Sequence, residues 1–352
     1  MRNELVGWDI GGAHLKACLL EDGELVAVAQ QASPLWLGLE HFHRAANAIL
    51  ESLQPGAECV HAVTMTGELA DVFASREEGV AALTAALGEH VGSQRMYLFA
   101  GHQGFMAATD LRVEHTAVVA SANWLATALY AASRVRDAIL VDIGSTTTDV
   151  ILLQNAQVNV RGYTDCERMR YDELVYCGVV RTPLMSLGQY APLDGNWVGL
   201  MAEHFATTAD IYRLTGELPE GADQMTAADG GAKTAAASAR RIARMVGLDA
   251  ESMDGAVWRG LARYFRELQL QRVGLVCERQ LSRGLTPPQA PFVGAGIGRF
   301  LVQELARRFS HPYQNIDDLY PVRDRSPSGF NVADCAPAAA VACLARQWPC
   351  IK

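Results

Sequence analysis

The stretch 6-VGWDIGGAHLKACLL-20 puts a carboxylate, bare backbone and a cation together at the end of one hydrophobic run. Asp9 is followed by Gly11 and Gly12, with Lys16 a few residues on. Far downstream, 138-AILVDIGSTTTDVILL-153 repeats the arrangement with Asp142, Gly144 and the hydroxyls of Ser145, Thr146, Thr147 and Thr148. Glycine at a strand end permits φ > 0 and lets N–H groups approach an anion closely. The hydroxyls add donors, and Lys16 offers a point charge to a phosphate. Asp9 and Asp142 are placed to hold Mg²⁺ or its water shell. The chemistry expected is a di- or triphosphate gripped by two turns, one from each half of the molecule, facing each other across a cleft. The bland alternative is a pair of tight β-turns, because D-x-G-G alone is a weak pattern. The repetition, and a third glycine turn at Gly294, Gly296 and Gly298 that opens a helix, move the reading toward phosphate.

The elements that must position these residues follow from the apolar pattern. Residues 4–9 read as a buried strand, and 15–20 with 24–29 as two more joined at Asp22-Gly23, a strong hairpin signal. Then come a helix at 39–53, a strand at 59–65, a helix at 76–90 and a strand at 96–100, the alternation of an α/β protein. A helix at 122–132 leads to strands 138–143 and 149–153 around the second aspartate–glycine turn. The two strand–turn–strand units look like a duplication. They exclude the Rossmann and P-loop patterns, in which the glycine turn opens a helix. Helices are expected at 199–216, 234–247 and 254–284. A strand, glycine turn and helix follow at 291–309, and a last helix at 331–348 is capped by Asn331 or Asp334. The expected domains are a first lobe, 1–115, and a second, 116–352, with a helical insertion at about 165–285. The last helix is expected to pack back on the first lobe.

Composition bounds the partners. The chain has 352 residues, half of them hydrophobic, enough for two cores. A net charge of −9 argues against nucleic acid or a polybasic membrane contact. No signal peptide is read at MRNELVGWDIGG, and no apolar run reaches the about 20 residues of a membrane span, so a cytoplasmic location is expected. The eight cysteines lack any C-x-x-C pair, which fits reduced, mostly buried thiols and neither a metal site nor a disulfide framework.

With these motifs assembled, the chain resembles the superfamily of actin, the sugar kinases and the heat-shock ATPases. Asp9-Gly11-Gly12 looks like its first phosphate loop, Asp142-Gly144-Ser145-Thr146-Thr147 its second, and Gly294-Ala295-Gly296 its adenosine-side turn. Within it, 142-DIGSTTTDV-150, 173-ELVYCGVVRTP-183 and 203-EHFATTADIYRLTG-216 are similar to blocks of the hydantoinase/oxoprolinase group. The segments 64-TMTGELADVFASREEGV-80 and 234-TAAASARRIARMVG-247 resemble its smaller branch, the condensing enzymes of methanofuran-type cofactor biosynthesis. The resemblance implies an α/β fold of two ribonuclease-H-like lobes with a cleft between them. It implies a transferase that joins an aminomethyl-furanylmethyl diphosphate to the phenol oxygen of γ-glutamyltyramine and releases pyrophosphate.

In that reading Asp9 and Asp142 hold Mg²⁺, and Lys16 shares the charge of the leaving group. Gly11, Gly12, His14, Gly144, Ser145, Thr146, Thr147 and Thr148 bind phosphate, with Gly294, Gly296 and Gly298 on the nucleotide or substrate side. ATP is admitted by that third turn but not required. The alternative is an ATP-dependent kinase or an oxoprolinase-type hydrolase, and a nucleotide-sensing activator is a third reading. The family's first loop usually continues with an amide and a hydroxyl, where this chain has His14 and Leu15. His14 therefore either donates in their place or is a turn histidine in solvent. The phenol, with a pKa of about 10, needs a base or a late proton transfer. Asp149 is either that base or a hairpin carboxylate accepting N–H bonds. Glu68 either binds the substrate amine or opens a helix, and Arg181 meets either the γ-glutamyl carboxylate or a structural partner. Thr207, Thr208 and Asp210 either line the cleft or form a buried polar network. The apolar rows of 234–281 and 331–348 are core or the surface of a homodimer.

Overall fold

Strand β1 (Glu4–Ile10) is buried from Leu5 onward, as a nearly continuous apolar run demands of a strand covered on both faces. The computed structural model describes residues 4–323, 330–349 and 351. Contacts divide the chain into two units, Met1–Arg136 with Leu153–Val158 and Asn315–Lys352, and Asp137–Leu152 with Asn159–Gln314.

In the first unit β2 (His14–Glu21) lies antiparallel to β1, and β3 (Glu24–Ala32) antiparallel to β2. Asp22 and Gly23 between them have φ of 49° and 96°, the left-handed pair that a two-residue hairpin turn needs. β4 (Val60–Met65) pairs in parallel on the other side of β1, followed by β5 (Met96–Phe99) and β6 (Phe105–Ala107). Helices Leu39–Leu53 and Arg76–Val91 cover the face that carries Val6, Trp8 and Ile10. Helix Ala336–Arg346 packs on the opposite face, where a Cβ at Gly7 would lie 2.0 Å from the Ala338 carbonyl oxygen.

The second unit repeats the plan. β7 (Ala138–Ile143) has β8 (Thr148–Gln154) as its hairpin neighbour, and β8 is flanked by β9 (Gln157–Asn159) and β10 (Leu174–Val175). β11 (Tyr190–Leu193) and β12 (Asn196–Gly199) form a separate ribbon. β13 (Phe292–Ala295) lies parallel to β7, with β14 (Tyr313–Asn315) at the edge. Helices Ala235–Met245, Gly255–Leu281 and Arg299–Phe309 complete the layer.

Two helix expectations are corrected. The segment 199–216 is not one helix: β12 ends at Gly199, and the helix runs only Thr208–Thr215. Thr207 and Asp210 form a capping box that starts it, and Gly216 at φ 78° stops it. The last segment is a 3₁₀ turn, Val332–Cys335, before the helix proper, and Asn331 and Asp334 cap it together. Among the described residues no helix is long and apolar enough to cross a membrane. Cys166 is exposed and the other described cysteines are buried, while Cys350 lies outside the described residues.

Two expectations follow from this packing. Gly7→Val drives a side chain into helix backbone and is expected to cost about 1–3 kcal/mol or more, read as a fall in Tm. The Trp8 indole N–H donates to His61 Nδ1 at 3.0 Å, and burial pushes the His61 pKa down to about 4. An unfolded histidine protonates near pH 6.5, so between about pH 6.5 and 4 the unfolded chain binds a proton that the folded chain refuses. Stability therefore falls as pH drops through that window, by about 3 kcal/mol at most. Urea midpoints measured from pH 7 to 4 should show a shallower slope in His61→Gln than in the parent protein.

Candidate functional site

The turn after β1 is closed by Gly11, whose N–H donates to the His14 carbonyl at 3.0 Å. The Gly12 carbonyl accepts from Leu35 N–H at 3.1 Å, and the Ala13 carbonyl from Ser33 N–H at 2.8 Å. With both carbonyls held, the N–H groups of Gly12 and Ala13 find no acceptor among the described residues. A Cβ at Gly12 would meet nothing within 4 Å, so the space around it is open.

The turn after β7 has the same construction. Gly144 N–H donates to the Thr147 carbonyl at 2.9 Å. The Gly144 carbonyl accepts from Val179, and the Ser145 carbonyl from both Val180 and Arg181, at 2.9–3.1 Å. The N–H groups of Ser145 and Thr146 have no acceptor among the described residues. Two successive N–H groups left open in this way are an arrangement that can receive an anion. The reason for glycine differs from the expectation: Gly11, Gly12 and Gly144 do not adopt positive φ. Only Gly11 is bare for space, since a Cβ there would press on the His14 carbonyl at 2.9 Å, whereas one at Gly144 would make ordinary contact with the Thr147 carbonyl at 3.6 Å.

Gly178 supports the second turn, and nothing in the spacing of motifs singled it out. A Cβ there would lie 2.4–2.5 Å from the backbone of Ser145 and Thr146. Its carbonyl accepts from Gln269 Nε2 and Thr208 Oγ1, each at 2.9 Å, and its N–H donates to Thr182 Oγ1 at 2.8 Å. The third glycine turn abuts the same place: Gly298 N–H donates to the Ile143 carbonyl at 2.8 Å. Gly296, at φ 76°, leaves room for Asp142, whose Oδ1 would be 2.4 Å from a Cβ. Gly294 instead makes room for the Tyr313 ring.

The charged candidates divide by surroundings. Asp9 is buried, receives Asn123 Nδ2 at 3.3 Å, and stands opposite Lys16 in the β1–β2 register. His14 is buried, which removes the solvent-facing alternative. Glu68 lies in the short turn Gly67–Leu69 and accepts from Ser121 Oγ at 2.7 Å, ahead of helix Arg76–Val91 and not at its start. That turn meets the end of β1, where Thr66 N–H donates to the Ile10 carbonyl. Arg181 reaches Thr146 Oγ1 at 3.5 Å, and burial pulls its guanidinium below the ordinary value while Tyr176 opposes that.

Besides Thr208, buried with its hydroxyl on the Gly178 carbonyl, three candidates are engaged in structure. Thr148 is buried with its hydroxyl donated to the Cys177 carbonyl at 2.6 Å. Asp149 is paired with the buried Arg168 at 2.8 Å, and its pKa is raised by burial against the pull of that arginine. Asp210 joins Arg213, Ser238 and the fully buried Arg241 in a polar network.

Paired sheets of this topology, each with an aspartate–glycine turn, define an α/β protein of the actin and sugar-kinase type. A nucleotide-free structure of ATP-dependent acetone carboxylase matches with a TM-score of 0.59 at 12% identity, over 98% of this chain and 70% of that one. That likeness speaks for the fold alone. The hydantoinase/oxoprolinase family matches residues 60–336, and the chain belongs to that family. It is similar to the (4-{4-[2-(gamma-L-glutamylamino)ethyl]phenoxymethyl}furan-2-yl)methanamine synthase of Methanocaldococcus jannaschii. The two are 31% identical over 252 residues, 71% of this chain and 74% of the relative. The synthase of the same name from Methanococcus vannielii is 36% identical over 85 residues, 24% of this chain and 38% of the relative.

Removing one partner from a buried ion-pair network typically costs about 3–5 kcal/mol. Asp210→Ala is therefore expected to lower the Tm steeply while anion binding, measured on the folded fraction, stays at the parent value.

Proposed function

We propose that this chain is a synthase of methanofuran-type cofactor assembly. It transfers an aminomethyl-furanylmethyl group from its diphosphate to the phenol oxygen of γ-glutamyltyramine. The bond from the furanylmethyl carbon to the diphosphate oxygen breaks, its electron pair leaves with pyrophosphate, and the phenol oxygen forms the new bond. The observation that carries this reading is the pair of turns whose N–H groups are left open for an anion, in a chain similar to two synthases of that product.

A furan-stabilised cation forms readily once the diphosphate can depart, so catalysis consists mainly of stabilising the leaving charge. In each unit by itself the open N–H groups, those of Gly12 and Ala13 in the first and of Ser145 and Thr146 in the second, suit phosphate oxygens, and Lys16 adds a positive charge to the first. Arg181, beside Thr146, takes either a phosphate oxygen or the γ-glutamyl carboxylate. Mg²⁺ fits these residues because it is held through one or two carboxylates plus phosphate oxygens and water. Asp9 and Asp142 are the carboxylates available to it, one at each turn, and among the described residues no cluster of three His, Cys, Asp or Glu competes for that role. When bound, the ion would neutralise the departing diphosphate. Asp149, held by Arg168, serves the hairpin, and the phenol proton is lost late, to water, from the strongly acidic protonated ether.

A second reading, ATP-dependent phosphoryl transfer or hydrolysis, is favoured by one feature, the glycine turn at 294–298 fixed against the end of β7.

Mixing the furanylmethyl diphosphate, γ-glutamyltyramine and Mg²⁺ without ATP should release one pyrophosphate per ether formed. Absence of release overturns the proposal, and substrate-stimulated ADP formation from ATP would favour the second reading. Asp142→Asn should cut turnover about 100-fold or more with the Tm unchanged. Retained turnover would remove Asp142 from the machinery.

A further inference from the structure

Strand register aligns one polar row across the first sheet. Gln30, Lys16, Asp9 and Thr64 are successive cross-strand partners on β3, β2, β1 and β4. Directly opposed residues project from the same face, so these four side chains stand next to one another at the end of the sheet that bears the first turn. Gln30 and Asp9 are each 4% exposed, and Thr64 is 0% exposed. Ser33, also 0% exposed, follows β3 and pins the Ala13 carbonyl through its N–H.

Thr64 Oγ1, Gln30 Oε1 and Ser33 Oγ are buried and have no hydrogen-bond partner among the described residues. Buried polar atoms are nearly always paired, and leaving one unpaired destabilises the fold. Two such oxygens in the row of Asp9, those of Thr64 and Gln30, therefore describe a site that is completed by a ligand. All three oxygens can accept, and the two hydroxyls can also donate. Water suits them, and a small hard cation gives up its water reluctantly.

We infer that Thr64 and Gln30 are positioning residues for the first turn's ligand: they hold the water shell of a divalent cation and diphosphate bound at Asp9. The inference rests on the diphosphate reading of that turn given above. Residues one step out from a metal typically change its affinity about 10–100-fold.

The test uses the full chain, with Mg²⁺ and inorganic pyrophosphate as the probe in titration calorimetry. The parent protein should bind, Thr64→Val should bind about 10-fold or more weakly, and Thr64→Ser should bind as the parent does. Gln30→Leu should weaken binding in the same sense. In the ligand-free protein Thr64→Val should melt no lower than the parent, because a methyl replaces an unpaired hydroxyl of the same shape. No binding by the parent would overturn the diphosphate reading itself, and the inference with it. Equal binding by parent and Thr64→Val would overturn the inference alone. A Thr64→Val protein that melts well below the parent without ligand would show that the hydroxyl serves the fold, and would also overturn it.

Discussion

A peptide unit points its N–H and its carbonyl in opposite directions, so a turn can present N–H groups to an anion only if its carbonyls are held elsewhere. A neighbouring backbone segment meets that condition for both open N–H groups of the second turn, and in the first turn for Ala13, through the Gly12 carbonyl. Ser33 and Leu35 hold the carbonyls of the first turn, and Val179, Val180 and Arg181 those of the second. Each clamp in turn depends on a close approach. Gly67 lets the Thr64 block press on Leu35 and on the Ile10 carbonyl, and Gly178 lets its own segment lie against Ser145 and Thr146. Larger side chains at these two glycines would displace the clamp before they touched any ligand.

What the sequence made legible was what is local. The Asp22-Gly23 hairpin, the strands that end at the two aspartates and the helices Leu39–Leu53 and Ala235–Met245 all rest on periodicity or turn chemistry within a short window. The clamps were not legible, because Leu35 and Val179 act through backbone N–H groups, which leave no mark in residue type. Asn123, which meets Asp9, is far from it in the chain and sits in an ordinary helical pattern. The hydroxyl run of the second turn was read as four equal donors, but strand alternation buries Thr148 and commits it to the Cys177 carbonyl. Thr207 to Asp210 was read as part of a longer helix because a capping box and a helix interior share the same polar spacing until the start is known.

The duplication is closer in backbone than in charge. Lys16 and Asp149 occupy corresponding places, each following its turn by the same interval from Asp9 and Asp142. In the first hairpin that place carries the cation, opposite Asp9. In the second it carries an anion, compensated by the buried Arg168, which also donates to the Glu173 carbonyl. The first turn thus brings its positive charge on the hairpin itself, whereas the second turn gains one at Arg181, whose N–H is among those that pin Ser145. One residue there joins the clamp to a charge at the turn. That N–H is backbone, so any residue but proline at 181 would keep the Ser145 carbonyl held, and the second turn owes its shape to the chain at position 181 and its charge to the arginine side chain.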